Sequence, residues 1–177
     1  MKALEDLGEE RQRVLDETRS LVEGVRCVVK TEVQSLDQGI KMLVRLRNKA
    51  YEQTNQLPHQ ALILEAATEL EREFPDVQIQ WYWNPQQTGT KHEPDLQGKV
   101  KGKVKFSVEA TASELPVGGI GTRMTHTLRK LEGFPGKRLY YVRTAPMCKA
   151  AKTKVEKAGY DVEVRLIAGN VESDACR

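Results

Sequence analysis

The sequence of 177 residues has little of what would indicate a membrane anchor, disulfide bonds or a zinc cluster. Its three cysteines, Cys27, Cys148 and Cys176, are far apart and form no Cys-x-x-Cys pair, so reduced thiols in a cytoplasmic protein are the simplest interpretation. There is no run of 18 apolar residues, so no membrane span is expected. The first six residues are acidic and lack an apolar stretch, so no signal peptide is predicted.

Charged residues are abundant but unevenly distributed. They make up 30% of the chain, and the net charge is +3. Between Lys91 and Lys157 there are 15 Lys and Arg but only six Asp and Glu, an excess of nine positive charges. A basic segment of this kind is what a phosphodiester-binding site needs. A solvated basic surface is the alternative interpretation.

Residues 1–56 are predicted to be helical. They contain no proline, and many of their apolar residues are separated by three or four positions. We expect one long bent helix or a helical hairpin, which packs on another copy of the chain to form a homo-oligomer or part of a larger complex. The alternative is a helical cap within one molecule. Residues 1–56 are therefore interpreted as a helical, coiled-coil-like extension.

Residues 57–168 are predicted to form an α/β (α+β) domain in which helices flank a mixed sheet. The segment 55–58 is expected to break the helical pattern before a second helix at 59–74. Strands are predicted at 77–83, 94–97, 104–111, 138–143 and 161–167, and further helices at 122–131 and 145–158. The first strands form hairpins, and the later ones are joined by strand–helix–strand crossovers. Residues 169–177 are predicted to be a loose tail.

Two carboxylates lie on strands that are expected to be neighbours. Glu109 and Thr111 alternate with apolar residues that must face the core, so both are placed on the polar face beside Asp95. Two close carboxylates repel each other unless one is protonated or a cation binds both. Oxygen ligands suit Mg²⁺, which can hold a phosphate and activate water, and Glu65 is a candidate third carboxylate. Taken singly, Asp95 is also explained as a turn residue and Glu109 as a solvated strand residue.

The fragments Pro94-Asp95 and Glu109-Ala110-Thr111 resemble the PD-(D/E)xK nuclease superfamily. The resemblance includes the predicted order of helix, three strands, helix and strand, and it covers about residues 59–167. It implies a restriction-endonuclease-like fold and a metal-dependent DNA endonuclease with Mg²⁺ or Mn²⁺ as cofactor. Asp95 and Glu109 would then bind the metal, together with the backbone carbonyl of Ala110, and Glu65 would be a further site residue.

Thr111 occupies the place of the lysine that is usual in this superfamily. Threonine offers a hydroxyl group that can orient water, but it carries no charge. Lys105 lies on the same strand face but is about 13 Å away along the strand, at ~3.3 Å per residue. Arg123 and Lys130, on the following predicted helix, are better placed to supply the missing positive charge.

Basic side chains near the carboxylates are candidate contacts to DNA or another nucleic acid. The candidates are Lys91, Lys103, Lys105, Arg123, His126 and Lys130. His92 and His126 are also candidate general acids or bases near the metal. The alternatives are that the lysines protect a sheet edge, that the helix cations are solvated, and that both histidines are bystanders.

Two other functions are compatible with the sequence. One is a nucleic-acid-binding subunit that kept the nuclease fold but lost catalysis together with the lysine. The other is a coiled-coil assembly protein in which the sheet domain is structural.

Overall fold

The structure is a computed structural model that describes residues 1–86 and 93–167. Its elements in chain order are β1 (Lys2–Leu4), α1 (Leu7–Val29), α2 (Leu36–Glu73), β2 (Gln80–Trp83), β3 (Leu96–Val100), β4 (Lys103–Thr111), α3 (Gly119–Glu132), β5 (Lys137–Val142), α4 (Ala145–Ala158) and β6 (Glu163–Leu166). The predicted tail at 169–177 lies outside the described residues.

The strands form one mixed sheet of six strands, which confirms the predicted α/β class. Their order in the sheet is the order in the chain, β1 to β6. The strands from β1 to β4 are antiparallel neighbours, whereas β4, β5 and β6 run parallel to one another. The parallel strands are joined through α3 and α4, as crossovers require. The edge strand β1 was not predicted, because residues 1–6 were assigned to the helical region.

Helices cover both faces of the sheet and create two apolar layers. On one face, α1 and α2 bury residues such as Val14, Leu21, Leu62 and Leu70 against Phe106 and Val108 of β4. On the other face, α3 and α4 bury residues such as Met124, Leu128 and Met147 against Tyr140 and Val142 of β5. The alternation along β4 is as predicted, because its apolar residues face α2 while Glu109 and Thr111 face the side of α3 and α4.

The helical region is a hairpin of α1 and α2, and both helices pack on the same face of the sheet. Its turn follows α1, and Ser35 caps α2 by accepting a hydrogen bond from the backbone N–H of Gln38. The predicted break at 55–58 is wrong, since α2 continues through Pro58 to Glu73. Burial explains the difference. Leu57 and His59 on either side of the proline are both buried, and this packing offsets the roughly 3 kcal/mol that an interior proline costs.

The inner part of this helical hairpin is packed on the sheet, whereas its outer part is exposed. Because Val14 and Leu21 of α1 are part of the main core, the inner part of the hairpin caps the sheet within one molecule. The outer part exposes several large apolar side chains: Val29, Val33, Leu36, Ile40, Leu43, Val44 and Tyr51. The expected packing on another copy stays a prediction. Within the described ranges, no helix combines the length and apolarity needed to cross a membrane.

The β3–β4 hairpin positions the carboxylates. It turns at Lys101 and Gly102, which have φ angles of 49° and 76°. Leu96 pairs with Val108, so the antiparallel register places Asp95, which immediately precedes β3, opposite Glu109. The strand predicted at 94–97 lies further along the chain in the structure, where β3 spans Leu96–Val100. The predicted proximity of the two carboxylates follows from this register.

Candidate active site

An open cavity of about 1080 Å³ lies at the carboxyl ends of the parallel strands β4 and β5. Ligands of open α/β sheets commonly bind outside the carboxyl ends of parallel strands. The cavity wall is built by α1, α2, α3 and the ends of the two strands. Its polar lining includes Asp95, Glu109, Thr111, Lys130 and Arg143. The predicted carboxylates therefore lie in the wall of one open cavity.

Asp95 is held in place by the strand opposite it. One of its carboxylate oxygens, Oδ2, accepts a hydrogen bond of 2.9 Å from the backbone N–H of Ala110. This bond orients the carboxylate toward the end of β4, where Glu109 is 4% exposed. The β3–β4 hairpin thus holds Asp95 by a hydrogen bond from the backbone, and it holds Glu109 by burial.

The two carboxylates influence each other electrostatically. Burial is the main reason that the pKa of Glu109 is raised, to about 8, and the negative charge of Asp95 adds to the increase. The ammonium group of Lys130 acts in the opposite direction. Glu109 is therefore protonated more readily than an ordinary carboxyl group.

Lys130 places a positive charge beside the carboxylate pair. Its Nζ lies 2.6 Å from Oε1 of Glu109, and it also donates a hydrogen bond of 3.2 Å to the backbone carbonyl of Glu93. Lys130 is in the last turn of α3, and its side chain reaches across to the end of β4. Of the cations considered from the sequence, Lys130 is the one that contacts the carboxylate pair.

The hydroxyl group of Thr111 is positioned by a tyrosine. Tyr140 on β5 donates a hydrogen bond of 2.7 Å to Oγ1 of Thr111, and burial raises the pKa of Tyr140 to about 12. Tyr140 therefore stays a hydrogen-bond donor throughout the neutral range. Because a hydroxyl group has one donor and two acceptor sites, this bond leaves the O–H of Thr111 available as a donor.

His59 is the least expected side chain of the cavity wall. It lies on α2 directly after Pro58, and it is only 3% exposed. Its Nε2 is 3.7 Å from Oδ1 of Asp95, which is too long for a hydrogen bond. Within the described part of the chain, neither ring nitrogen has a hydrogen-bond partner. Asp95 is therefore an electrostatic neighbour of His59 within ion-pair range rather than a hydrogen-bond partner.

Glu65 is not brought to the carboxylate pair. Its carboxylate contacts Arg143, with Oε2 3.0 Å from Nη2, and Glu65 is not part of the cavity lining. Across residues 1–86 and 93–167, no group of three or more His, Cys, Asp or Glu is arranged to hold a metal ion. The structure therefore shows Glu65 as the partner of Arg143, and its predicted role as a further site residue stays a prediction.

The remaining predicted DNA contacts are spread over different surfaces. Arg123 lines the cavity, whereas His126 is on the exposed side of α3. Lys103 and Lys105 are exposed on the first half of β4, away from the cavity. Lys91 and His92 lie outside the described residues.

Two donors of the cavity are of the kind that a divalent cation binds. Asp95 and Glu109 provide carboxylate oxygens, and Ala110, whose backbone carbonyl is a predicted ligand, also lines the cavity. Such oxygens suit Mg²⁺ and Mn²⁺, and Mg²⁺ commonly takes only one or two carboxylates together with water and phosphate oxygens. The predicted metal would therefore be held by Asp95 and Glu109.

Sequence reasoning missed three residues of the site. Arg143 directly follows β5, so the rule that ligands bind at the carboxyl ends of parallel strands could have found it. Tyr140 could be assigned to the site only with the register between β4 and β5. His59 gave no signal, because its position next to a proline suggested the start of a helix rather than the wall of a cavity.

Comparison of the chain with protein-family models, curated proteins and solved structures finds no match. The functional interpretation therefore depends on the geometry of the site.

The pH dependence of stability tests the protonation of Glu109. Its pKa is about 8 in the folded protein and 4.5 in a model compound, so the folded protein binds this proton more tightly than the unfolded chain. The free energy of unfolding should therefore fall as the pH rises from about 4.5 to 8, by up to ~1.4 kcal/mol per pH unit. Glu109→Gln removes this dependence, and urea unfolding in EDTA at several pH values measures it.

The control for this experiment is Glu156→Gln, which neutralises an exposed carboxylate on α4. It should leave the wild-type pH profile unchanged. Parallel profiles for the wild type and Glu109→Gln would show that Glu109 ionises normally.

Proposed function

We propose that this protein is a metal-dependent nuclease that hydrolyses phosphodiester bonds in DNA. The observation that carries the proposal is the placement of Asp95 and Glu109 side by side in one cavity, with the ammonium group of Lys130 2.6 Å from Glu109. Paired carboxylates can hold a divalent cation that activates water for hydrolysis of a phosphodiester. The restriction-endonuclease-like fold is part of this proposal, and it is supported by the mixed sheet with helices on both faces.

Each side chain of the cavity has a role in this proposal. Asp95 and Glu109 bind the cation, which when bound activates water and stabilises the charge on the phosphate. Lys130 neutralises negative charge next to Glu109. Arg123 and Arg143 line the cavity and can bind phosphate oxygens. Thr111 orients a water molecule with the O–H that its bond to Tyr140 leaves available.

A cleavage assay tests the proposal directly. Purified protein is incubated with single-stranded, double-stranded and branched DNA in the presence of Mg²⁺ or Mn²⁺. Cleavage of at least one substrate is expected, and EDTA should abolish it because the cation is required. Intact substrates under all these conditions, with a folded protein, would exclude the nuclease activity for these DNA structures.

A second candidate function is favoured by the contact between Lys130 and Glu109. The ammonium group stands beside the carboxylate pair and can itself balance negative charge there. In that case the protein binds nucleic acid without cleaving it. Binding would fall with increasing salt, because basic side chains contact phosphates, and it would not respond to EDTA. The same incubations distinguish the two functions, since only the nuclease yields shorter products.

A further inference from the structure

The hairpin of α1 and α2 carries most of the exposed apolar side chains of the molecule. Among residues 1–86 and 93–167, twelve large apolar side chains are exposed, and nine of them lie on these two helices or in the turn between them. The nine are Leu15, Val22, Val29, Val33, Leu36, Ile40, Leu43, Val44 and Tyr51. None of them lines the cavity, so the proposed reaction does not account for them.

On α1, the exposed apolar residues form a stripe beside the side that packs on the core. Leu15, Val22 and Val29 follow one another at intervals of seven residues. The first two come directly after the buried residues Val14 and Leu21. Because one residue turns a helix by about 100°, the exposed stripe points roughly a quarter of a turn away from the buried side.

The exposed stripe of α2 is related to its inner side in the same way. Ala50 packs against the main core, and Met42 is half-buried. Tyr51 and Leu43 come directly after them and are largely exposed. Hydrogen bonds between the two helices show that they run antiparallel. Equal turns in the same sense on two antiparallel helices point to one side of the hairpin, so the nine residues form a single apolar face.

This apolar face has the size of an interface. Its side chains are between 43% and 81% exposed, which amounts to roughly 900 Å² of surface. A stable interface of standard size buries about 800 Å² per partner. The largest apolar patch of a typical monomer covers only about 300–600 Å². The face is therefore larger than a monomer usually exposes and large enough for a stable dimer.

The residue types of the apolar face favour other helices as its partner over a lipid surface. Apart from Tyr51 they are Leu, Ile and Val, which are the core residues of coiled coils. Between residues 7 and 73 the sequence has no Trp or Phe, the rings that commonly anchor amphipathic helices in a membrane interface.

The spacing within the apolar face favours a second copy of the chain. Intervals of seven residues separate Leu36 from Leu43 and Val44 from Tyr51 on α2, and the same interval occurs on α1. Side chains at this spacing pack between side chains of the same spacing on a facing helix. A second copy presents that spacing over the same length. Arg47 also follows a half-buried residue, and a single polar residue in such a stripe commonly limits the number of helices in a bundle.

We propose that the apolar face binds the same face of a second copy, so that two hairpins form a four-helix bundle about a two-fold axis. An interface in which both copies use the same surface closes on itself, so the assembly ends at a dimer. Because none of the nine residues lines the cavity, the dimer requires neither a bound metal nor cleavage of DNA.

Sedimentation velocity of the full-length protein tests the proposal. The protein is kept in EDTA without nucleic acid, at concentrations from roughly 1 to 100 µM. One chain has a mass of 20.0 kDa, and the wild-type protein is expected to sediment with twice this mass as the concentration rises. Wild-type protein that stays monomeric up to the highest concentration would overturn the proposal.

Two variants locate the interface on the two stripes. Val22→Glu places a carboxylate on the stripe of α1, and Leu43→Glu places one on the stripe of α2. Each should raise the dissociation constant of the dimer by about thirtyfold or more, the usual effect of disrupting a central interface residue. Both positions are exposed in a single chain, so the circular dichroism spectrum should stay that of the wild type. A wild-type dissociation constant in either variant would refute the assignment to this face.

The controls introduce the same charge elsewhere. Leu115→Glu changes an exposed leucine outside the hairpin. Arg45→Glu changes an exposed residue of α2 that is two positions from Leu43 and therefore on the other side of the helix. Both controls should dimerise like the wild type. Loss of the dimer in either one would mean that the charge of the chain, rather than the apolar face, controls association.

Flotation with vesicles of phosphatidylcholine and phosphatidylserine checks the other occupant. Wild-type protein should stay with the soluble fraction. Monomeric protein that floats with the vesicles, and that Leu43→Glu releases, would assign the face to a lipid surface and overturn the dimer. Since these experiments use neither DNA nor a metal ion, a negative result leaves the nuclease proposal untouched.

Discussion

Replacement of Asp95 by asparagine is expected to lower kcat/KM for metal-dependent DNA cleavage by about a thousandfold. The cation contributes several kcal/mol of charge stabilisation, and each 1.36 kcal/mol changes the rate tenfold. Asparagine has nearly the same shape, and its carbonyl oxygen can still accept the hydrogen bond from the backbone of Ala110. The loss would therefore reflect the missing charge rather than a damaged hairpin.

Asp95→Asn is also expected to lower the pKa of Glu109. The charge of Asp95 helps to raise the pKa of Glu109, so its removal moves that pKa down toward the ordinary value. Glu109 is then more fully ionised at neutral pH. A loss of activity in this variant would therefore not come from a further rise in the pKa of Glu109.

Single-turnover cleavage and Mn²⁺ binding by EPR are the measurements for Asp95→Asn. The matched control is Asp161→Asn, because Asp161 is an exposed carboxylate that pairs with Arg138 outside the cavity. The control should cleave like the wild type. Full activity of Asp95→Asn would remove Asp95 from the catalytic site.

Lys130→Met is expected to reduce the cleavage rate about 100- to 1,000-fold, the usual effect of removing one group that stabilises developing charge. Methionine keeps an unbranched chain of similar length but has no ammonium group to contact Glu109. Because Lys130 lowers the pKa of Glu109, the variant should also hold the proton on Glu109 up to a higher pH. The pH dependence of cleavage should therefore move upward.

The control for Lys130→Met is the adjacent residue on α3. Arg129 is exposed, and Arg129→Met removes one positive charge without touching the carboxylate pair. It should change DNA affinity modestly and leave the pH profile of cleavage in place. An equal loss of cleavage in both variants would indicate a general effect of charge on DNA binding rather than a specific role for Lys130.

The arrangement of the two carboxylates was predictable from the sequence. Along β4, apolar residues alternate with polar ones, and a single face of the strand can enter the core. That periodicity placed Glu109 and Thr111 on one side, and the turn at Gly102 folded β3 back onto β4. The position of Lys130 as the nearest cation was one of several possibilities, and the structure distinguishes it from Arg123 and Lys105.

Other parts of the site depend on packing that the sequence does not display. The proline at position 58 suggested the end of a helix, yet the burial of Leu57 and His59 carries α2 through it. The continuation of α2 through Pro58 also brings His59 to the cavity. The wrong prediction of a helix break therefore concealed this residue of the cavity wall. Glu65 was adjacent to an apolar stripe, but its partner Arg143 is 78 positions away in the chain, and no local pattern could reveal that contact.

Because α2 is one uninterrupted helix, it fixes the direction in which the exposed apolar face of the outer hairpin points relative to the cavity. The helix has 38 residues and is about 57 Å long, with Ile40 near one end and His59 in the cavity wall. Each residue turns the helix by about 100°. One residue inserted between these positions would rotate the outer apolar face by more than a quarter of a turn relative to the cavity, whereas seven would nearly restore it. The direction in which that face points is therefore determined by the number of residues in the helix.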